Sequence, residues 1–147
     1  MKTYRHTQRA GRWLIVPLSA CTAMVLAAFL TGLWPMLTGV PILGLLVWLF
    51  ASLTIEIRGS DLRWQFGPGL IRKRISIAEV ARIVPVDIRL IEGWGMHVTR
   101  FGWLYNVAGS TAVAIQLHSG AQFALGTDDP AGLIAALTPR LTGLTAI

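Results

Sequence analysis

Arg12–Arg58 reads RWLIVPLSACTAMVLAAFLTGLWPMLTGVPILGLLVWLFASLTIEIR, and the reading of this stretch decides the fold. From Trp13 to Ile55 there is no Asp, Glu, Lys, Arg or His, a run of 43 residues. As one helix the run would measure about 65 Å, twice the roughly 30 Å of a bilayer's hydrocarbon layer. It therefore reads as two spans, Trp13–Leu33 and Met36–Leu53, turned at Trp34-Pro35, where proline removes a backbone donor and disfavours helix at the residue before it. Trp13 and Trp34 then fall near the two interfaces, where an indole is half buried and half wet. A cleaved signal peptide is a poorer reading, because the first apolar run is too long and a second follows at once. A buried hairpin is poorer still, because the remaining 92 residues are too few to cover it.

Charge then sets the expected topology. The tail at 1–12 carries Lys2, Arg5, Arg9 and Arg12 and no acid, and the far end carries Arg58, Arg63, Arg72, Lys73 and Arg74. Basic residues stay on the cytoplasmic side, so both termini are expected there, in a multi-pass protein of the cytoplasmic (inner) membrane. The net charge of +6 on 147 residues is too thin for a nucleic-acid surface. Only 14% of residues are charged, against about 25% in an average soluble domain, and the charge-free run causes the deficit. The one cysteine, Cys21, allows neither an intrachain disulfide nor a cysteine metal cluster, and reads as a small packing residue.

Past Leu53 the apolar period becomes two. LTIEIR, LRWQF and LIRKRISI alternate, with turns at Gly59-Ser60-Asp61 and Gly67-Pro68-Gly69, as half-buried antiparallel strands do. SIAEVARI breaks the alternation as a helical turn capped by Ser76 or as a bent strand. VDIRLI, MHVTR, WLYNV, AVAIQL and QFALG continue the strands, with a hairpin turn at Gly120. TDDPAGLIAALTPR reads as a short helix, capped by Thr127, Asp128 or Asp129 and ended by Pro139.

The later half of this pattern resembles a family. Gly93-Trp94-Gly95, the strand Gly102–Val107, Gly109, the strand Val113–Leu117, Gly120 and Gly126–Pro130 leading into a helix are similar to the C-terminal part of bacterial pleckstrin-homology-like domains. Small membrane proteins with a helical hairpin before such a domain are common in that family. The resemblance covers Ile55 to Arg140, and its earlier strands match only by pattern. It implies a membrane-anchored α+β protein: a two-helix transmembrane hairpin, then an antiparallel barrel or sandwich of about seven strands with a C-terminal capping helix. The expected divisions are 1–12 basic cytoplasmic tail, 13–54 hairpin, 55–140 β domain and 141–147 tail. The family implies a binding platform for lipids or peptides and no enzymatic activity.

The residues point the same way. Gly93-Trp94-Gly95 lacks the third glycine of a dinucleotide loop, since Val98 stands in its place, and a strand rather than a helix follows. His6, His97 and His118 have no metal-ligand spacing, and Asp128-Asp129 lie where a helix N-terminus favours negative charge. No catalytic, cofactor or metal residue is expected. The candidate contacts for an anionic lipid headgroup or an unidentified protein partner are Arg58, Arg63, Arg72, Lys73 and Arg74, with Lys73 alternating among isoleucines from an inward position. Trp94, Trp103 and Tyr105 form a candidate aromatic surface, with core packing as the alternative. The expected function is a non-enzymatic integral membrane protein presenting this domain to a partner or an anionic lipid. The alternative is a structural subunit of a larger membrane complex, with Gly32, Gly39 and Gly44 permitting close helix approach in the hairpin.

Overall fold

The computed structural model describes residues 3–89 and 95–142. The segment expected as a free basic tail is a strand, β1 (Tyr4–Arg9). The chain then leaves the sheet through a helical hairpin of α1 (Ile15–Thr31) and α2 (Gly39–Phe50) and returns as β2 (Ser52–Arg58). β1 and β2 pair antiparallel from Tyr4↔Ile57 to Arg9↔Ser52, and the Ala10 amide donates to the Ala51 carbonyl at 2.8 Å. Both ends of the hairpin are therefore held at one point.

The helix lengths correct the expected membrane spans. α1 has 17 residues and α2 has 12, or about 26 and 18 Å against a hydrocarbon layer of roughly 30 Å. No helix among the described residues is long and apolar enough to cross a membrane. The transmembrane hairpin, the multi-pass inner-membrane placement and the membrane as a two-span integral partner are not supported. The apolar run is long, but much of it is not α-helix. Gly32 takes a left-handed φ of 72° and ends α1, and Trp34–Thr38 winds as a 3-10 turn around Pro35. At the far end, Ser52 already belongs to β2. Absence of charge reports composition, not helix length.

β3 (Asp61–Phe66) and β4 (Ile71–Ser76) complete a first sheet in the order β1-β2-β3-β4. A 3-10 turn at Ile77–Glu79, with the Ser76 hydroxyl accepting from the Ala78 amide, leads to β5 (Val80–Asp87). β6 (Gly95–Thr99), β7 (Gly102–Asn106), β8 (Thr111–Leu117) and β9 (Gln122–Gly126) join it in a second sheet, ordered β5-β8-β9-β7-β6. Pro85 is tolerated because β5 is an edge. Among the described residues, nine strands in two sheets replace the expected barrel of about seven. The pairing is also not wholly antiparallel, because β7 runs parallel to β9.

The two-residue alternation sets the core. Leu53, Ile55 and Ile57 of β2 and Leu62, Trp64 and Phe66 of β3 turn inward at 0–4% exposure. They meet Tyr105, Val113, Ile115, Phe123 and Leu125 of the second sheet. Trp64 stacks on Phe123 at 5.0 Å between ring centroids and meets Tyr105 edge-on at 5.4 Å. Such pairs contribute about 0.5–1.5 kcal/mol beyond area burial. α3 (Pro130–Thr142) adds Leu133 and Leu137, both fully buried, to the same core. Pro139 lies inside α3 rather than ending it; beside it the Thr138 hydroxyl and the Arg140 guanidinium donate to the carbonyls of Ile134 and Ala136.

The β7–β9 pairing is the tightest backbone approach. Gly102 has φ 80°, and a Cβ there would run into the Gln122 carbonyl. Gly120 has φ 86° but opens on free space. Gly102→Ala is therefore expected to cost more than about 2 kcal/mol, and Gly120→Ala about 1 kcal/mol, the backbone strain alone. Urea denaturation of the two variants measures the difference; equal losses would contradict the close approach.

Candidate anion-binding face of the first sheet

The residues that alternate with the core of the first sheet form its outer face. The cross-strand register arranges them in rows: Arg5, Glu56, Arg63 and Arg74 in one, Thr7, Thr54, Gln65 and Arg72 in the next. Arg58 and Asp61 lie opposite each other toward the β2–β3 turn. All of these side chains except Thr7 and Asp61 border a concavity of about 630 Å³, to which Trp64 and Lys73 also contribute. Its lining has six basic residues, Arg5, Arg58, Arg63, Arg72, Lys73 and Arg74, and one acid, Glu56.

Two of the arginines are internally paired. Arg58 Nε donates to Glu56 Oε1 at 2.7 Å, and Arg63 Nη2 donates to Asp61 Oδ2 at 2.9 Å. Arg63 Nε is left without a partner. Arg5, Arg72 and Arg74 are exposed and have no carboxylate partner among the described residues. Arg74 stands directly opposite Arg63 across β3–β4, and like charges in that relation are destabilising. Guanidinium groups present paired donors matched to phosphate and carboxylate oxygens, and the Thr7–Thr54 hydroxyl pair, 2.9 Å apart, offers neutral polar groups beside them. Chemically, an arrangement of this kind can engage an anion with several oxygens.

The five basic candidates read from the sequence all border this concavity, but they come from alternating rows of the sheet. Arg58, Arg63, Arg72 and Arg74 are on the outer face. Lys73 is on the opposite face, on the inward row with Trp64, and its ammonium sits 5.5 Å from the centre of the Tyr105 ring. The aromatic candidates separate too. Tyr105 is 3% exposed and belongs to the core, whereas Trp103 is 50% exposed. Trp94, with Gly93, lies outside the described residues. Gly95 opens β6 with φ 101°.

The site's missed member is Arg5, passed over because 1–12 read as a tail. The signal was there: in Tyr4–Arg9, Tyr4, His6 and Gln8 alternate with Arg5, Thr7 and Arg9, the pattern of a strand. The inward members of that strand clasp the start of α3. The Tyr4 hydroxyl donates to Asp129 Oδ2 at 3.2 Å, and His6 Nε2 lies 2.5 Å from Asp128 Oδ1. Asp129 also caps α3, accepting from the Gly132 amide at 2.9 Å, so its carboxylate serves both strand and helix. Among the described residues, no three His, Cys, Asp or Glu side chains are grouped to hold a metal ion. No family model matches the chain, and neither the curated proteins nor the solved structures provide a match to it.

Burial first, then the Asp129 carboxylate and its hydrogen bond, push the Tyr4 phenol above its ordinary value of 10.0. The folded state thus keeps a proton that the unfolded chain releases above pH 10. Stability from this group is intact below that pH and is lost as the pH rises beyond it. Tyr4→Phe is expected to flatten the decline measured by denaturation between pH 9 and 11.5. An equally steep decline in the variant would place the loss elsewhere.

Proposed function

We propose that this protein is a non-catalytic binding module whose first sheet captures a multiply charged phosphate group through Arg5, Arg63, Arg72 and Arg74. One observation carries the proposal: Arg63 and Arg74 are directly opposed across neighbouring strands, with Arg72 in the next row and Arg5 beyond Glu56, and among the described residues Arg5 and Arg72 have no carboxylate partner. Bringing these cations together costs electrostatic repulsion that an anion bound between them removes. The surface is open to solvent, so the attraction is screened within about 10 Å at 0.1 M salt and a multiply charged ligand gains most.

A binding role also fits the groups that carry chemistry elsewhere. Asp129 caps a helix and accepts from Tyr4, and Asp128 faces His6, so both acids have structural partners. The competing reading is that Arg72 and Arg74, on the edge strand β4, only block pairing with another chain, a recognised use of edge charges.

Calorimetric titration with inositol hexakisphosphate separates the two. Binding is expected at low salt and should weaken at least tenfold between 50 and 200 mM salt. Arg72→Glu with Arg74→Glu should abolish it while the far-ultraviolet circular dichroism is retained. Binding unaffected by the double substitution, or none by the folded wild-type chain, would leave these arginines as edge protection.

A further inference from the structure

The hairpin carries an apolar surface that nothing among the described residues covers. Among the described residues, fourteen of the eighteen large hydrophobic residues that are exposed lie between Ile15 and Trp48. α1 and α2 face each other along one side, where Met24 fills the space above Gly39. The opposite sides are open: Leu18, Leu26 and Leu30 on α1 are 58–77% exposed, and Ile42, Leu45 and Trp48 on α2 are 53–61% exposed. The polar groups are withdrawn from these sides. Ser19, Thr22, Thr31 and Thr38 each donate a hydroxyl hydrogen bond to a backbone carbonyl of their own helix or turn, so the surface presents almost only hydrocarbon. Isolated monomers rarely expose contiguous apolar patches beyond a few hundred Å².

We infer that this surface is a homodimer interface, in which the hairpins of two copies pack as a four-helix bundle. The area is of the right size. The chain exposes 8854 Å², whereas a compact monomer of 16.0 kDa exposes about 7,400 Å². The excess of about 1,500 Å², taken over the whole chain, is of the order of the roughly 1,000–2,500 Å² that each chain buries in an obligate homodimer. Shape and chemistry also favour a second copy. Cys21, Val25, Leu26 and Phe29 border a groove of about 480 Å³ on α1. The row Ile42, Leu45 and Trp48 on α2 is a ridge of matching character, with Gly44 beside it opening on free space and allowing close helix approach. A two-fold axis sets the ridge of each copy in the groove of the other, as isologous pairing requires. The hairpin has no charge with which to select a charged partner, and an identical hairpin needs none. The bundle stands on the hairpin alone and does not depend on the anion-binding face.

Light scattering on the full chain after size exclusion, at about 10 µM without detergent, tests the inference. The expected mass is twice 16.0 kDa. Leu26→Glu and, separately, Leu45→Glu place a charge on each helix away from the β core, and each should return the mass to that of one chain. Val98→Glu, an exposed site off the hairpin, should leave it doubled. A wild-type chain that runs as a single copy would overturn the dimer. So would a chain that reaches higher mass only with a different protein bound, or one whose hairpin is occupied by phosphatidylcholine vesicles in place of a second copy.

Discussion

The pairing of β1 with β2 is the constraint on which the rest depends. Six residues at the start of the chain meet six that follow a long apolar excursion, and the Ala10–Ala51 hydrogen bond closes the neck. Closing a loop of that length has a conformational cost that grows only slowly with loop length, so the ladder and its buried inner row can offset it. Once the neck is closed, the hairpin is an insertion into a sheet and not a leader attached to one. Its helices end where the sheet demands strand, and both are too short to cross a hydrocarbon layer.

The same pairing organises the two faces of the first sheet. Inward, β1 brings Tyr4, His6 and Gln8 beside the apolar rows of β2 and β3, and Tyr4 and His6 reach the acids that open α3. Outward, it adds Arg5 to the row that ends in Arg63 and Arg74. Between the faces, the stacked Trp64 and Phe123 join the first sheet to the second. The charged face is therefore backed by a rigid aromatic core. This holds the guanidinium groups in register, where a flexible tail would let them disperse.

Much of the β architecture was legible because alternation reports burial directly. Leu53–Ile57 and Leu62–Phe66 show their buried rows in the sequence, as do the turns at Gly59 and Gly67. The parallel contact of β7 with β9 was not legible, because period two marks a strand without naming its neighbour. The hairpin misled for a specific reason. The span rule counts apolar residues, and these residues are divided among two helices, 3-10 turns at Gly11–Leu14 and Trp34–Thr38, and the first part of β2. Of the basic cluster, Arg72 and Arg74 could be read together from spacing and Lys73 could be set apart from them. Arg63 opposite Arg74 required the register, and Arg5 required a pairing partner about fifty residues away.

The central claim is that two adjacent rows on the outer face of the first sheet, joined by β1, hold a phosphate-bearing anion. It is tested most directly by following the arginine Nε–H signals by nuclear magnetic resonance during titration with inositol hexakisphosphate. The signals of Arg5, Arg63, Arg72 and Arg74 are expected to shift together and saturate at one ligand concentration, while Arg82 and Arg100 of the rest of the chain stay fixed. Shifts spread evenly over all arginines, or confined to Arg72 and Arg74 with Arg5 unmoved, would contradict a site built on the β1–β2 pairing.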